Sequence, residues 1–311
     1  MSQAFSVVDL GTNTFQLLVA QPQPDFPGIN ILYQSQVPVT LGKGAMETGE
    51  IQPDAMQRAL QALGGFKAKA LEFGSQASQI MCIGTSILRR ASNAHALMAH
   101  IESMGMGAQI ITGIEEAELI HLGIVHSLPQ PWTKRSLVMD IGGGSVEFIL
   151  FEGSRVHFKI SLEVGGLRLL SMFQRNGLYN KEVNPDLEAF IERELAPVLQ
   201  ACSRFQPEVL IGAAGAFETI WDLEHAVDVD LKIPPSSLLD VQLFYEQKLR
   251  VEVSEYEDRK QIPGMKAFRA GILPYANALI AMVLAKSGIS EMWVSSFSLK
   301  EGFWFSKQGR G

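Results

Sequence analysis

The chain has 311 residues, enough for two domains at roughly 150 residues each, and 47 % are hydrophobic against 19 % charged. That balance suits ordinary globular cores and excludes a disordered or fibrous chain. The formal net charge is −7, from 26 basic and 33 acidic residues, and no run of Lys and Arg supplies a nucleic-acid footprint. A polyanion can still be held locally, by backbone N–H groups, a few Arg and a divalent metal.

In chain order, Phe5–Val8 and Phe15–Ala20 read as short strands around a turn, and Asn30–Val39 as a third. Pro53–Asp54 opens a helix running towards Phe73. Gln79–Ile83 is strand-like and is followed by the turn Gly84-Thr85-Ser86. A helix capped by Ser92 or Asn93 runs through Met104, and Ile110–Ile111 forms a short strand. From Gly113 the pattern is helical, with Glu115, Glu116 and Glu118 crowding its start, where the macrodipole favours carboxylates. Leu128–Lys134, with Pro129 and Pro131, reads as a linker, so the domains are set at 1–127 and 128–311. The last helix, about 298–311, is expected to pack back on the first domain.

The second half restarts with strands Ser136–Met139, Val146–Phe151 and Arg155–Ile160, then helices Gly166–Phe173 and Pro185–Ser203. Glu208–Ile211 is a strand leading into a turn and helix from Gly212. Asp222–Lys260 resists parsing, and the chain closes with helical Met265–Lys286, strand Glu291–Val294 and amphipathic Leu299–Phe305. Cys82 and Cys202 lie far apart and read as buried thiols in a reducing compartment. The N-terminus lacks a basic n-region, and the apolar run Ile272–Ala285 is too short to span a bilayer. A cytoplasmic protein with no membrane partner is expected.

One internal repeat stands out. Val7-Val8-Asp9-Leu10-Gly11-Thr12-Asn13-Thr14 aligns without a gap on Val138-Met139-Asp140-Ile141-Gly142-Gly143-Gly144-Ser145. Each copy is a strand, a tight turn and a returning strand, as a duplicated βββαβα unit would give. Gly11 and the triplet Gly142–Gly144 let successive N–H groups converge on one point and let a phosphate approach closely. Asn13, Thr14 and Ser145 add side-chain donors. Asp9 and Asp140 would repel a bare phosphate, so they suggest a bound Mg²⁺, which Glu147 can also reach. No Walker loop or Rossmann fingerprint is present.

These residues resemble the two phosphate motifs of the exopolyphosphatase/guanosine pentaphosphate phosphatase (Ppx/GppA) family. The resemblance continues through Leu41-Gly42-Lys43-Gly44, Gly84-Thr85-Ser86-Ile87-Leu88-Arg89, Thr112-Gly113-Ile114-Glu115-Glu116, Glu163-Val164-Gly165-Gly166-Leu167-Arg168 and Ser295 to Gly302. It implies an α/β fold of two actin-like (ribonuclease H-like) domains, each a mixed sheet with helices, and an active-site cleft between them. It also implies Glu116 as the base for water, Asp140 and Glu147 as metal residues with Asp9 a further candidate, and Mg²⁺ or Mn²⁺ as cofactor. Phosphate contacts fall to Gly11, Asn13, Thr14, Thr85, Arg89, Gly142, Gly143, Gly144 and Ser145. The chain departs from the pattern at Gln16, where a basic residue is common nearby. It departs again at Gly212-Ala-Ala-Gly215, which lacks a Gly-Gly-Thr run, at Arg269-Ala-Gly271, and in ending soon after Gly302.

The resulting expectation is an exopolyphosphatase acting on inorganic polyphosphate. The alternatives are a guanosine pentaphosphate phosphohydrolase and, from another class, a non-catalytic sensor of polyphosphate or alarmone. A homodimer is expected, because two-fold dimers are the commonest oligomers.

Overall fold

The computed structural model describes residues 3–174, 185–225 and 233–308. The chain divides into two compact units, Met1–His126 with Ser298–Gly311, and Ser127–Phe297. Each has its own apolar core.

The first unit is built on strands β1 (Phe5–Leu10), β2 (Thr14–Pro22), β3 (Ile29–Pro38), β4 (Ile80–Gly84) and β5 (Gly107–Ile110). Their order is β3-β2-β1-β4-β5. The first three form an antiparallel meander, and β4 and β5 add in parallel. The second unit has β6 (Ser136–Ile141), β7 (Val146–Glu152), β8 (Arg155–Leu162), β9 (Val209–Ala213), β10 (Ser236–Leu239) and β11 (Glu291–Ser295). Their order, β10-β11-β9-β6-β7-β8, repeats the first sheet with β10 appended antiparallel at one edge. This shared order, a meander followed by parallel strands, fits the duplicated unit read from the repeat and is the actin-like arrangement that the family resemblance implies. Strand β6 is buried along its whole length, as a central strand covered on both faces must be.

Helix Pro53–Glu72 shows how the local sequence sets these layers. Pro53 occupies its first turn, where no intrahelical N–H is lost, and Asp54 faces the positive end of the dipole. Ala55, Ala59, Ala62, Leu63, Phe66 and Ala70 form its buried stripe. Burying Leu63 and Phe66 contributes about 1.5–3 kcal/mol each, an upper bound against a compact unfolded chain.

The last helix, Leu299–Gln308, lies on β1 and β2, with Trp304 Nε1 donating to the carbonyl of Ala20 at 3.4 Å. It crosses helix Gly113–Ser127 at two glycines. A Cβ on Gly123 would collide with the Ser298 carbonyl, and one on Gly302 with that of Leu119. The Glu301 carboxylate accepts from the Ser298 N–H at 2.9 Å, closing the helix start as a capping box does. The terminal Ser298–Gly302 landmark is therefore architectural: it fixes the helix whose first turn carries Glu116.

In the second unit, two long segments differ from the sequence reading. Met265–Lys286 is broken into a short 3₁₀ turn, Ala267–Arg269, and helix Leu273–Ser287. Pro274, with no N–H and a ring that crowds the preceding residue, sits in the first turn of the new helix. Within Asp222–Lys260, β10 is followed by helices Val241–Val253 and Tyr256–Arg259, while residues 226–232 lie outside those described. No helix among the described residues is long and apolar enough to cross a membrane.

Candidate functional site

The second turn links β6 to β7 through Gly142–Ser145, closed by the Gly142 N–H on the Ser145 carbonyl at 3.0 Å. Its carbonyl edge is tied to the start of helix Gly166–Phe173. Gly165 N–H donates to Gly144, Gly166 to Gly142, and Leu167 and Arg168 to Gly143, at 2.9–3.1 Å. Gly165 must be glycine, since a Cβ would meet Gly143 and Gly144 backbone atoms at 2.5 Å. None of these bonds uses the N–H of Gly143, Gly144 or Ser145. The helix start thus holds one edge of the turn, and the amide edge is the one suited to an anion.

Asp140 and Glu147 are direct cross-strand partners, and Ser161 on β8 is the next residue in the row. Both carboxylates are buried, and Ser161 Oγ donates to Glu147 Oε1 at 2.6 Å. Opposed like charges on neighbouring strands repel, so a buried pair of this kind suits a balancing cation. Arg269, also buried in this unit, is one such charge. Burial pushes its guanidinium below the ordinary arginine range, while Glu218, Asp222 and Asp140 pull it back. Among the described residues no group of three or more His, Cys, Asp or Glu is placed to hold a metal ion. Two carboxylates are nevertheless the complement Mg²⁺ uses when water and phosphate oxygens complete its shell, so Asp140 and Glu147 fit that ion.

The first turn repeats the backbone with other partners. Leu10 pairs with Phe15 around Gly11–Thr14, and a Cβ on Gly11 would meet the Thr14 carbonyl at 2.7 Å. Here the carbonyl edge is held by a loop. The N–H groups of Val39 and Thr40 donate to Asn13 O at 3.0 and 2.7 Å, and that of Gly42 to Thr12 O at 2.9 Å. The row through Asp9 is Asp9–Gln16–Gln36, with amides where the second unit has Glu147 and Ser161.

Glu116 and Arg89 meet in the same unit. Arg89 sits in helix Ser86–Arg90, where the sequence reading gave only the turn Gly84-Thr85-Ser86, and its Nη1 donates to Glu116 Oε2 at 2.6 Å and to the Ile111 carbonyl at 3.2 Å. Arg89 Nη2 is buried with no hydrogen-bond partner. The neighbouring glutamate does something else: Glu115 Oε2 accepts from the N–H and hydroxyl of Thr112 at 2.7 and 2.9 Å. Those bonds hold the Glu115 carboxyl below the usual range. The helix-start role belongs to exposed Glu115, which leaves buried Glu116 for Arg89. Thr85 is buried, and its hydroxyl lies 3.5 Å from the Leu10 carbonyl without capping the helix that follows.

Sequence reasoning missed Ser161, Arg58, whose Nε donates to the Val39 carbonyl at 2.9 Å, and the side chain of Arg168, whose Nε donates to the Gly144 carbonyl at 3.2 Å. Ser161 was findable, because register places β8 beside Glu147. Arg168 lay inside a motif that carried no role for it, and Arg58 sits on a helix face with no motif.

The Ppx/GppA phosphatase family model matches residues 18–310. The chain is 32 % identical to an exopolyphosphatase from Cytophaga hutchinsonii of known structure, with a TM-score of 0.91, covering 99 % of this chain and 98 % of that one. A Ppx/GppA family member from Aquifex aeolicus shares the fold at 23 % identity and a TM-score of 0.81, covering 100 % and 99 %. Against the guanosine-5'-triphosphate,3'-diphosphate pyrophosphatase of Aliivibrio fischeri, identity is 27 % over 97 % of this chain, which spans 59 % of that relative's length. With its two repeated turns and a family match over nearly its whole length, the chain belongs to the Ppx/GppA phosphatase family.

Proposed function

We propose that this protein is an exopolyphosphatase, releasing terminal orthophosphate from inorganic polyphosphate by in-line attack of water. The observation that carries the reading is the Glu116–Arg89 pair: a buried carboxylate oriented by a guanidinium whose other terminal nitrogen is buried without a partner. An unsatisfied buried donor is costly, and a phosphate oxygen would satisfy it. In this reading Glu116 takes a proton from the attacking water as its oxygen bonds to the terminal phosphorus. The bridging P–O bond breaks, and the shortened chain leaves with its charge. Arg89 orients Glu116 through Nη1 and offers Nη2 to the substrate. The turn amides of Gly143, Gly144 and Ser145, and Asn13 and Thr14, hold phosphate oxygens. Asp140 and Glu147, with Asp9 a further candidate, would hold Mg²⁺ or Mn²⁺, which supplies neutralisation of phosphate charge.

A guanosine pentaphosphate phosphohydrolase is the second reading, favoured by the likeness to the Aliivibrio fischeri protein. The Cytophaga hutchinsonii exopolyphosphatase is more similar and is matched over nearly its full length, so polyphosphate leads. Phosphate release from the two substrates, compared with Mg²⁺ or Mn²⁺ present, decides between them. Binding without turnover of either would favour a sensor. The two buried, unpaired cysteines suit the proposed cytoplasmic location, and a homodimer is the proposed state.

A further inference from the structure

Both phosphate turns are held on their carbonyl edge, and each hold includes an arginine anchored by a carboxylate. In the second unit Arg168 Nε donates to the Gly144 carbonyl at 3.2 Å, while its Nη2 pairs with Glu163 at 2.6 Å. In the first unit the brace acts through two intermediate residues, Val39 and Thr40. Arg58 donates from Nε to the Val39 carbonyl at 2.9 Å and from Nη2 to Thr40 Oγ1 at 3.2 Å. Its Nη1 is anchored on Asp54 at 2.6 Å. Val39 and Thr40 in turn give their N–H groups to Asn13 O.

Thr40 shows why a brace is needed. Its φ is +50°, a left-handed conformation that a β-branched residue adopts only when its surroundings impose it. Without Arg58, the loop can relax to an ordinary φ and withdraw its N–H groups from Asn13. The Asp54–Arg58 pair is partly exposed and adds little stability as an ion pair. Its worth lies in aiming two donors, Nε and Nη2, at one loop.

We propose that Arg58 and Arg168 are matched positioning residues: each, fixed by its carboxylate, clamps the carbonyl edge of one turn so that the amide edge stays set for phosphate. Neither contacts the substrate. The proposal rests on the reading that these turns bind phosphate.

The test uses the full chain with inorganic tripolyphosphate as probe, following KM, kcat, calorimetric Kd and the salt dependence of Kd. Arg58→Ala should raise KM and Kd roughly tenfold, as loss of charge-assisted hydrogen bonds does, with kcat changed less. The slope of log Kd against log salt should stay as in the wild type, because no phosphate charge has lost its partner. Arg58→Lys, which keeps a donor for Val39, should recover part of the loss, and Arg168→Ala should behave like Arg58→Ala. A flattened salt slope would overturn the proposal in favour of direct phosphate contact. A lowered Tm with unchanged KM would overturn it in favour of a purely structural role. If the wild type neither binds nor cleaves tripolyphosphate, the functional reading fails and amide exchange judges the brace alone. Faster exchange at Val39, Thr40 and Gly42 in Arg58→Ala then supports it, and unchanged exchange overturns it.

Discussion

The two turns share a backbone and differ in charge. In the first, the cross-strand row is Asp9–Gln16–Gln36; in the second it is Asp140–Glu147–Ser161. Register and strand order are the same, so the scaffold does not decide which turn suits a cation. One residue does: a glutamate in place of a glutamine sets a second carboxylate against the first. The first unit contributes something else, the Glu116–Arg89 pair at the start of a helix locked by Gly123 and Gly302. In the proposed function the two turns are equivalent phosphate cradles, and their side-chain differences divide the labour between them.

The largest expected effect tests the first unit's share. Glu116→Gln keeps shape and burial but removes the base, so kcat should fall by about 10²–10⁴ while the Kd for polyphosphate stays within twofold to threefold, about the scatter of such effects. Normal turnover would remove Glu116 from its role. Next, Glu147→Gln makes the second row resemble the first. Activity titrated with Mg²⁺ should then need on the order of 100-fold more metal, and an unshifted titration would break the distinction between the rows.

Arg89→Ala should be intermediate, raising KM roughly tenfold through the lost phosphate contact and lowering kcat through a misdirected Glu116. An unchanged KM would count against the contact. Gly302→Ala acts on architecture: its Cβ meets the Leu119 backbone, so stability should fall by about 1–3 kcal/mol in chemical denaturation. Glu115→Gln should be smallest, with turnover unchanged. Because the folded-state pKa of Glu115 is depressed, its contribution is present above the ordinary carboxylate range and fades as pH falls through the lowered value. An acid limb of stability that does not shrink in Glu115→Gln would contradict that assignment.

Much of this was legible in the sequence because local chemistry marked it. The Asp-x-Gly turns leave little room for a side chain, since a Cβ on Gly11 or Gly142 would crowd the Thr14 or Ser145 carbonyl, and the two meanders carried clear strand patterns. Helix Gly166–Phe173 was read to its ends, since its start is fixed by the Gly165–Gly166 pair. What escaped depends on distant partners. Nothing near Arg89 announces that it meets a glutamate 27 positions on. Glu115 and Glu116 look alike in sequence, and only the Thr112 bonds separate them. Strand β10 is four residues at a sheet edge, too short for alternation to show. Arg58 braces Thr40 across 18 positions with no motif at either end.

In the proposed reaction, the end of a phosphate chain is hydrolysed with Glu116 as the base. Its most direct test is chain-resolved analysis of polyphosphate of defined length, incubated with Mg²⁺ and either wild type or Glu116→Gln. The wild type should shorten chains from the end, releasing orthophosphate alone, while Glu116→Gln should bind the chains and leave them intact. Internal fragments, or equal shortening by both proteins, would contradict it.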